Sequence, residues 1–299
     1  MTTTRKVRSL LRLRREVLMS LGALAFGIAR GAGAAQTAPR PTWPIESAGG
    51  QAYLVGETYP RPTDWHDERI EALVPGCSVL WTETNQIIRG DLKELVTRNG
   101  IDNATPLMVR LGADDRVRLE KAAALCKVPM ASLTNFRPWL AGATLEDAFY
   151  QTMGLSGLAP DKVLSAKAQA AGVPLFSEFA VKDDVVTWFG SMSPRQDLQF
   201  LRYILDEVLR PRAHKRQPSQ TGGVAISGER EASSLGSSNF IPELYEILVL
   251  DRNRKWVPRF KKMLSEKRPA MVVLGHVHLV GSDGVLAQLQ AAGMTVRRV

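Results

Sequence analysis

Two short segments, far apart in the chain, combine a glycine with side chains that could bind a metal ion. One reads LVGETY at 54–59 and the other reads VLGHVH at 273–278. If the second segment continues as a strand, His276 and His278 lie on one face, because strand side chains alternate between two faces. Two neutral imidazoles on one face can bind a divalent metal. The alternative is that both are ordinary polar residues at a strand end, bonded to the backbone.

Both segments follow apolar runs that have the character of buried strands. Ligand sites of parallel sheets gather outside the carboxyl ends of the strands, so we expect the two segments to meet at such an edge. The first strand, a helical pattern at 67–73 and a second strand at 78–82 predict a βαβ unit with a parallel pair of strands. This second strand would deliver Glu83 to the same edge.

The middle of the chain is mainly helical in its hydrophobic spacing, and strand-like runs return towards the end. The predicted helices cover 91–98, 113–127, 144–153, 161–171, 194–209, 242–250 and 255–266, and the later strands cover 173–179, 271–274 and 295–296. Glu178 lies near the end of the first of these later strands. This order predicts an α/β (or α+β) fold, with a central, mostly parallel sheet built from terminal βαβ-like units around a helical middle section.

The charge of +9 is concentrated at the N-terminus. Residues 1–35 carry seven basic side chains and one acidic one, and within this segment the apolar run at 17–28 is too short to span a bilayer. The pattern predicts a cleavable export signal at 1–34, and Arg14-Arg15 resembles a twin-arginine signal. We therefore expect a periplasmic or secreted protein with no transmembrane span after cleavage. An uncleaved anchor and a general secretory signal are the alternatives.

The remaining chain predicts one domain behind a spacer. Residues 35–50 are rich in Pro, Gly and Ser and indicate a flexible spacer, and 51–299 indicate a single domain with a surface loop or disordered insertion at 211–239. Cys77 and Cys126 could form a disulfide or remain as two buried thiols.

Several functions are excluded or weakened by what the chain does not contain. It has no G-x-S-x-G nucleophile elbow, no phosphate-binding P-loop and no H-E-x-x-H helix. Outside the N-terminal segment the net charge is only about +3, which argues against a nucleic-acid partner.

The chain resembles the TraB/PrgY/GumN family, a group that includes the Tiki metalloproteases. The resemblance extends over nearly all of the chain from residue 53 and depends on short motifs in the family's order. These motifs are GETY at 56–59, WTE at 81–83, RPW at 137–139, the 157–178 region, DRN at 251–253 and GHVHLVG at 275–281.

This resemblance implies a metal-dependent hydrolase in at least some members. Carried over to this chain, His278 is a metal ligand, and Glu83 is a ligand or a general base. Arg252 would stabilise developing negative charge, and Asn253 would orient a group by hydrogen bonding. Alternatively, Glu83 and Arg252 form only a structural ion pair.

The chain departs from the family pattern at Tyr59, where the pattern has its first histidine. A phenol is mostly neutral at pH 7, although a bound dication can promote its ionisation. His276 or the Glu57 carboxylate are the other replacement ligands. Two functions therefore remain: a hydrolase of peptide or amide bonds that uses Mn, Co or Zn, or a catalytically inactive member that binds a peptide, a polysaccharide-related ligand or a metal in the same site.

Overall fold

The structure is a computed structural model. It describes residues 42–46, 49–57, 61–62, 64–84, 90–156, 159–180, 182–210, 242–266 and 268–297. The leader, Tyr59 and the 211–239 insertion lie outside the described residues, so the predictions made for them stay predictions. Side chains of Glu57 and His276 also lie outside this description, although their backbone is included.

The fold is mixed α/β, as predicted, and its largest sheet has six strands. In chain order the strands are β1 (Thr42–Glu46), β2 (Gln51–Glu57), β3 (Arg61–Pro62), β4 (Val79–Thr84), β5 (Leu155–Ser156), β6 (Leu175–Phe179), β7 (Ala270–Gly275) and β8 (Thr295–Val296). The order across the six-stranded sheet is β6-β4-β7-β2-β1-β8.

The helices lie between these strands in the order of the chain. They are α1 (Glu68–Leu73), α2 (Leu92–Gly100), α3 (Leu107–Arg110), α4 (Ala113–Leu125), α5 (Met130–Leu133), α6 (Pro138–Thr152), α7 (Ala159–Ala170), α8 (Lys182–Gly190), α9 (Pro194–Leu209), α10 (Pro242–Tyr245), α11 (Asp251–Met263), α12 (His276–Leu279) and α13 (Val285–Ala291). A short 3-10 turn (Val74–Gly76) follows α1, and a π-helical turn (Glu246–Leu250) joins α10 to α11. No helix in the described ranges is long and apolar enough to cross a membrane.

Strand β7 lies at the centre of the sheet, between β4 and β2. It is parallel to both, so β2 and β4 point in the same direction, as the predicted βαβ unit requires. They are not neighbours, however, because β7 separates them. Every residue of β7 is buried, and helices cover both faces of the sheet, which explains its continuous apolar run.

Part of the predicted flexible spacer is a strand. Residues 42–46 form β1, which pairs antiparallel with β2 and with β8. Trp43 and Ile45 point into the core and are buried. The prolines at positions 41 and 44 misled the prediction, because a proline is tolerated in a strand where its missing N–H is not needed by a neighbour.

The described residues divide into two compact units. One contains 90–156 and 179–210, and the other contains 42–84, 159–178 and 242–297. The prediction of a single domain stays a prediction.

The RPW motif holds together the unit that contains 90–156 and 179–210. Arg137 donates hydrogen bonds to Asp197 (2.9 Å) and to the carbonyls of Asn99 (3.0 Å) and Gly190 (2.7 Å). Trp139 is fully buried and stacks on Phe189, with 5.5 Å between the ring centroids. This motif is therefore a structural anchor of its unit.

The two cysteines are free and buried. Burial raises the pKa of the Cys77 thiol to about 11 and that of Cys126 to about 12. Both thiols are therefore protonated at neutral pH, and of the two alternatives for these residues the structure has buried thiols.

Candidate functional site

Four polar side chains meet inside the unit that contains 42–84, 159–178 and 242–297, near the carboxyl ends of its strands. Glu83 lies at the penultimate position of β4, and Glu178 has the same position in β6. Arg252 is in the first turn of α11, and His278 is in the short helix α12 that follows β7. These side chains thus meet at the carboxyl ends of the strands, where the sequence predicted that such polar residues would gather.

Arg252 is the centre of the cluster. Its Nη2 donates to Glu83 Oε2 at 2.8 Å, and its Nε donates to Glu178 Oε2 at 2.7 Å. Its Nη1 donates to the Leu248 carbonyl and to His278 Nε2, both at 3.3 Å. Only 5% of its side chain is exposed. One guanidinium therefore binds two carboxylates and the imidazole in a setting where water does not compete.

Glu83 is held from two sides. Its Oε1 accepts a hydrogen bond from the Gly275 amide at 2.6 Å, while its Oε2 accepts the bond from Arg252. Burial by itself would raise the pKa of this carboxyl, but the opposing effects of His278, Arg252 and the Gly275 amide outweigh it, and the pKa lies below its ordinary value of 4.5. Since His278 is uncharged at pH 7, Arg252 and Gly275 keep the carboxylate ionised there.

The tautomer of His278 follows from its partner Asn253. The amide Nδ2 of Asn253 donates to the Asp283 carbonyl at 3.0 Å, which leaves its Oδ1 facing His278 Nδ1 at 2.9 Å. Because an amide oxygen only accepts, Nδ1 carries the proton and Nε2 carries the lone pair. Nε2 therefore accepts the hydrogen bond from Arg252, and it lies 3.8 Å from Glu83 Oε2.

His278 is neutral over the whole physiological pH range. Its side chain is buried, and desolvation lowers its pKa to about 3, with a further lowering by the positive charge of Arg252 that the Glu83 carboxylate opposes. Trp256 closes the cluster from one side, because its ring lies 4.6 Å from the imidazole and 4.7 Å from the guanidinium carbon of Arg252. The aromatic contact stabilises both groups by packing and by a cation–π interaction.

A tight turn after α12 supports this arrangement. The amide of Gly284 donates to the carbonyl of Gly281 at 3.1 Å, and Gly281 has a φ of 90°. A Cβ added at Gly284 would lie 2.4 Å from the Leu279 carbonyl oxygen, so no larger residue fits there without a backbone shift. The turn delivers the Asp283 carbonyl to Asn253.

The structure brings together four of the seven residues that the sequence singled out: Glu83, Arg252, Asn253 and His278. Tyr59 lies outside the described residues. The backbone of Glu57 pairs with Gly275, which places it at the same edge of the sheet, but its side chain is not described. The catalytic and metal-binding roles suggested for these residues stay predictions.

The condition under which the two histidines would share a face is not met. It required the strand to continue, whereas β7 ends at Gly275 and residues His276–Leu279 form a helical turn. In a helix, residues two apart point roughly 200° apart around the axis, so His276 and His278 do not share a face. His278 points into the described cluster.

Glu178 was not among the predicted site residues, although its place at a strand end was recognised. Its partner Arg252 is separated from it by 74 positions in the sequence. The available signal was a carboxylate at a predicted strand end, the same signal that singled out Glu83, which also contacts Arg252. A carboxylate at the end of a predicted strand does not by itself identify a site residue, because many such carboxylates are solvated.

The described side chains do not fit a metal centre as they are arranged. No group of three or more His, Cys, Asp or Glu side chains in the described ranges is placed to hold an ion. Two potential metal-ligand atoms do approach each other, His278 Nε2 and Glu83 Oε2. Both already accept hydrogen bonds from Arg252. The guanidinium therefore supplies the positive charge between them, and a metal bridging these atoms would have to displace it.

Changing Asn253 to aspartate is expected to lower the free energy of unfolding by about 1–3 kcal/mol, because the Asp283 carbonyl loses its donor. The new carboxylate should also raise the pKa of His278 towards its ordinary value. Urea unfolding measures the first effect, and an NMR titration of the imidazole measures the second. The exposed Asn135→Asp change is the control and should alter neither quantity.

A family model described as the TraB/PrgY/gumN family matches residues 41–298. This range contains both units and every residue of the cluster. No curated protein and no solved structure matches the chain.

Proposed function

This chain belongs to the TraB/PrgY/gumN family, and we propose that it is a member that binds a peptide or polysaccharide-related ligand without hydrolysing it. In this proposal the cluster of Glu83, Glu178, Arg252 and His278 supports the binding site from within. Its role is to fix the ends of three strands and the start of α11 relative to one another.

The observation that carries this proposal is the position of Arg252. A general base must be free to accept a proton from water or substrate. Both oxygens of Glu83 already accept hydrogen bonds from the protein, and so does Nε2 of His278. With 9% or less of the side chain exposed, neither group faces solvent in a form that could start hydrolysis.

A second candidate function is supported by a different observation. Asn253 fixes His278 with its Nε2 lone pair unprotonated, which is how metal-binding histidines are usually held. Two carboxylates and one guanidinium also leave the cluster with one net negative charge, which favours a cation. A metal-dependent hydrolase of peptide or amide bonds would then require Arg252 to release Nε2, and Tyr59, Glu57 or His276 to supply further donors for Mn, Co or Zn.

One experiment separates the two functions. The purified chain is incubated with a soluble peptidoglycan digest, which offers peptide and sugar together, and the bound fragments are identified by mass spectrometry. We expect fragments to be retained at their original mass, without stoichiometric Mn, Co or Zn in protein prepared without chelators. The Tyr59→His variant should also leave them intact.

Shortened fragments, or a stoichiometric metal that is lost in His278→Ala, would instead establish the hydrolase. Cleavage only in Tyr59→His would show that the site needs just its missing histidine. If no fragment is retained by the chain, the proposed ligand class is wrong.

We expect the protein to act after export, as the Arg14-Arg15 pair and the following apolar run suggest. Replacing both arginines with lysine should abolish most export, because the twin-arginine pattern requires the pair itself and not merely its charge. Fractionation of bacteria producing the chain measures the periplasmic share. The Arg5→Lys, Arg8→Lys double variant keeps the charge and should be exported normally. Unchanged export of the first variant would favour the general secretory route.

A further inference from the structure

Helix α11 has one buried apolar face and one exposed basic face. Trp256, Val257 and Phe260 point into the core. The exposed residues of this helix are Pro258 and five basic side chains, and none is acidic. Four of these five, spread over the exposed half of the helix surface, form what we name the basic face: Lys255, Arg259, Lys261 and Lys262.

The basic face is not neutralised by the protein. The fifth exposed cation, Arg254, forms ion pairs with Glu246 (2.5 Å) and Asp251 (2.8 Å). In contrast, no ion pair of Lys255, Arg259, Lys261 or Lys262 occurs within the part of the chain that the structure describes.

This arrangement is unfavourable for the helix on its own. Lys255 and Arg259 are four residues apart, and Arg259 and Lys262 are three apart, so like charges are neighbours on the helix surface and repel each other. The helix dipole favours cations in the last turn, which accounts for Lys261 and Lys262. It does not account for Lys255 and Arg259, which lie further towards the N-terminus.

We infer that the basic face docks on a membrane surface rich in anionic phospholipid. The long side chains of cations on the exposed half of a helix can reach the phosphates of a planar surface, and each contributes to electrostatic attraction. No apolar side chain other than Pro258 is exposed on this helix, so the contact is peripheral and does not insert into the bilayer.

The composition of the helix favours lipid over nucleic acid. Proteins that bind single strands place aromatic side chains where bases can stack, but both aromatic residues of α11, Trp256 and Phe260, are buried. Three of the four cations are lysines, which bind phosphate as point charges and do not provide the bidentate geometry used to read bases. The inference does not use the cluster around Arg252, so its failure would leave the proposed function unaffected.

The test measures protection of individual lysines in the full chain. Lysine acetylation by a water-soluble ester is followed by mass spectrometry, with and without vesicles of equimolar phosphatidylglycerol and phosphatidylcholine at low salt. We expect acetylation of Lys255, Lys261 and Lys262 to slow by at least about fivefold, the effect of one cation near an anionic surface. The exposed lysines on three other helices, Lys93, Lys121 and Lys167, are the internal controls and should react at unchanged rates.

Protection should disappear in molar salt and with vesicles of phosphatidylcholine alone. Replacing the three lysines of the basic face with glutamine should weaken vesicle binding by about 100-fold, whereas the same change at the three control lysines should have little effect. Because the basic N-terminal segment is present in both variants, its own affinity for vesicles affects them equally.

Three results would overturn the inference. Equal protection of both sets of lysines would mean that another part of the chain mediates binding. Equal protection by neutral vesicles would mean that charge is not the cause. Protection by soluble dextran sulfate but not by vesicles would identify a polysaccharide as the partner.

Discussion

Replacing Arg252 with methionine is expected to lower the free energy of unfolding by about 3–5 kcal/mol. Methionine preserves much of the arginine's length and its packing against Trp256, but it removes the positive charge. The buried Glu83 carboxylate and the partly buried Glu178 carboxylate would then remain without their cation. Because the cost of burying an unpaired charge exceeds the net value of the original pair, the loss should be far larger than for a surface ion pair. Urea unfolding at pH 7 provides the measurement.

Two further variants test the physical reason. Arg254→Met, two residues along the same helix, removes an arginine that also pairs with two carboxylates but is 56% exposed. We expect it to have little effect, because solvent screens exposed ion pairs. Adding Glu83→Gln to Arg252→Met should restore part of the lost stability, since one of the two uncompensated charges is removed.

The loss in Arg252→Met should also become smaller as the pH falls. Without the guanidinium, burial raises the pKa of Glu83 above its unfolded value, so the folded variant gains a proton on acidification and is stabilised relative to the unfolded chain. A loss near that of Arg254→Met, with no dependence on pH, would contradict the role of Arg252 as the organising charge of the cluster.

The second large effect is the pH dependence that His278 gives to the free energy of unfolding. The folded pKa is about 3, well below the ordinary value of 6.5, so the contribution of this neutral imidazole to stability is complete only above pH 6.5. It is lost progressively as the pH falls from 6.5 towards 3, because the unfolded state binds the proton first. Between pH 7 and pH 5 this single group should lower the free energy of unfolding by about 2 kcal/mol.

Between pH 7 and pH 5 the contribution of His278 to stability can be distinguished from that of Glu83. The carboxylate has a lowered pKa, so its contribution declines only below its ordinary value of 4.5. We expect His278→Gln to be less stable than the wild type at pH 7, and this difference should shrink by about 2 kcal/mol between pH 7 and pH 5. His66→Gln, at an exposed histidine, should follow the wild-type profile. Parallel pH profiles for wild type and His278→Gln would mean that His278 is not buried in its neutral form.

Both predictions depend on one property of the cluster. Its charged and polar groups bind one another in a region where water does not compete, so each depends strongly on the others. Loss of one of these groups should therefore lower the stability of the whole cluster.

The sequence by itself identified most helices and strands, because their signals are local. Helix α9 begins and ends where it was predicted. Ser193 and Gln196 form a capping box at its start, and Pro194 suits its first turn, so a few neighbouring residues specify this boundary. The apolar run of β7 likewise predicted a strand covered on both faces. The short motifs were also enough to indicate the family, three residues of the cluster and their neighbour Asn253.

The tertiary structure decided which of these residues touch. The sequence contained no sign that β7 lies between β2 and β4, that Glu178 pairs with Arg252, or that Arg252 donates a hydrogen bond to His278 Nε2. It also did not show that β7 ends at Gly275, which separates His276 from His278. A capping residue acts within a turn of helix, whereas the partner of a buried charge depends on which distant segments pack together to exclude water.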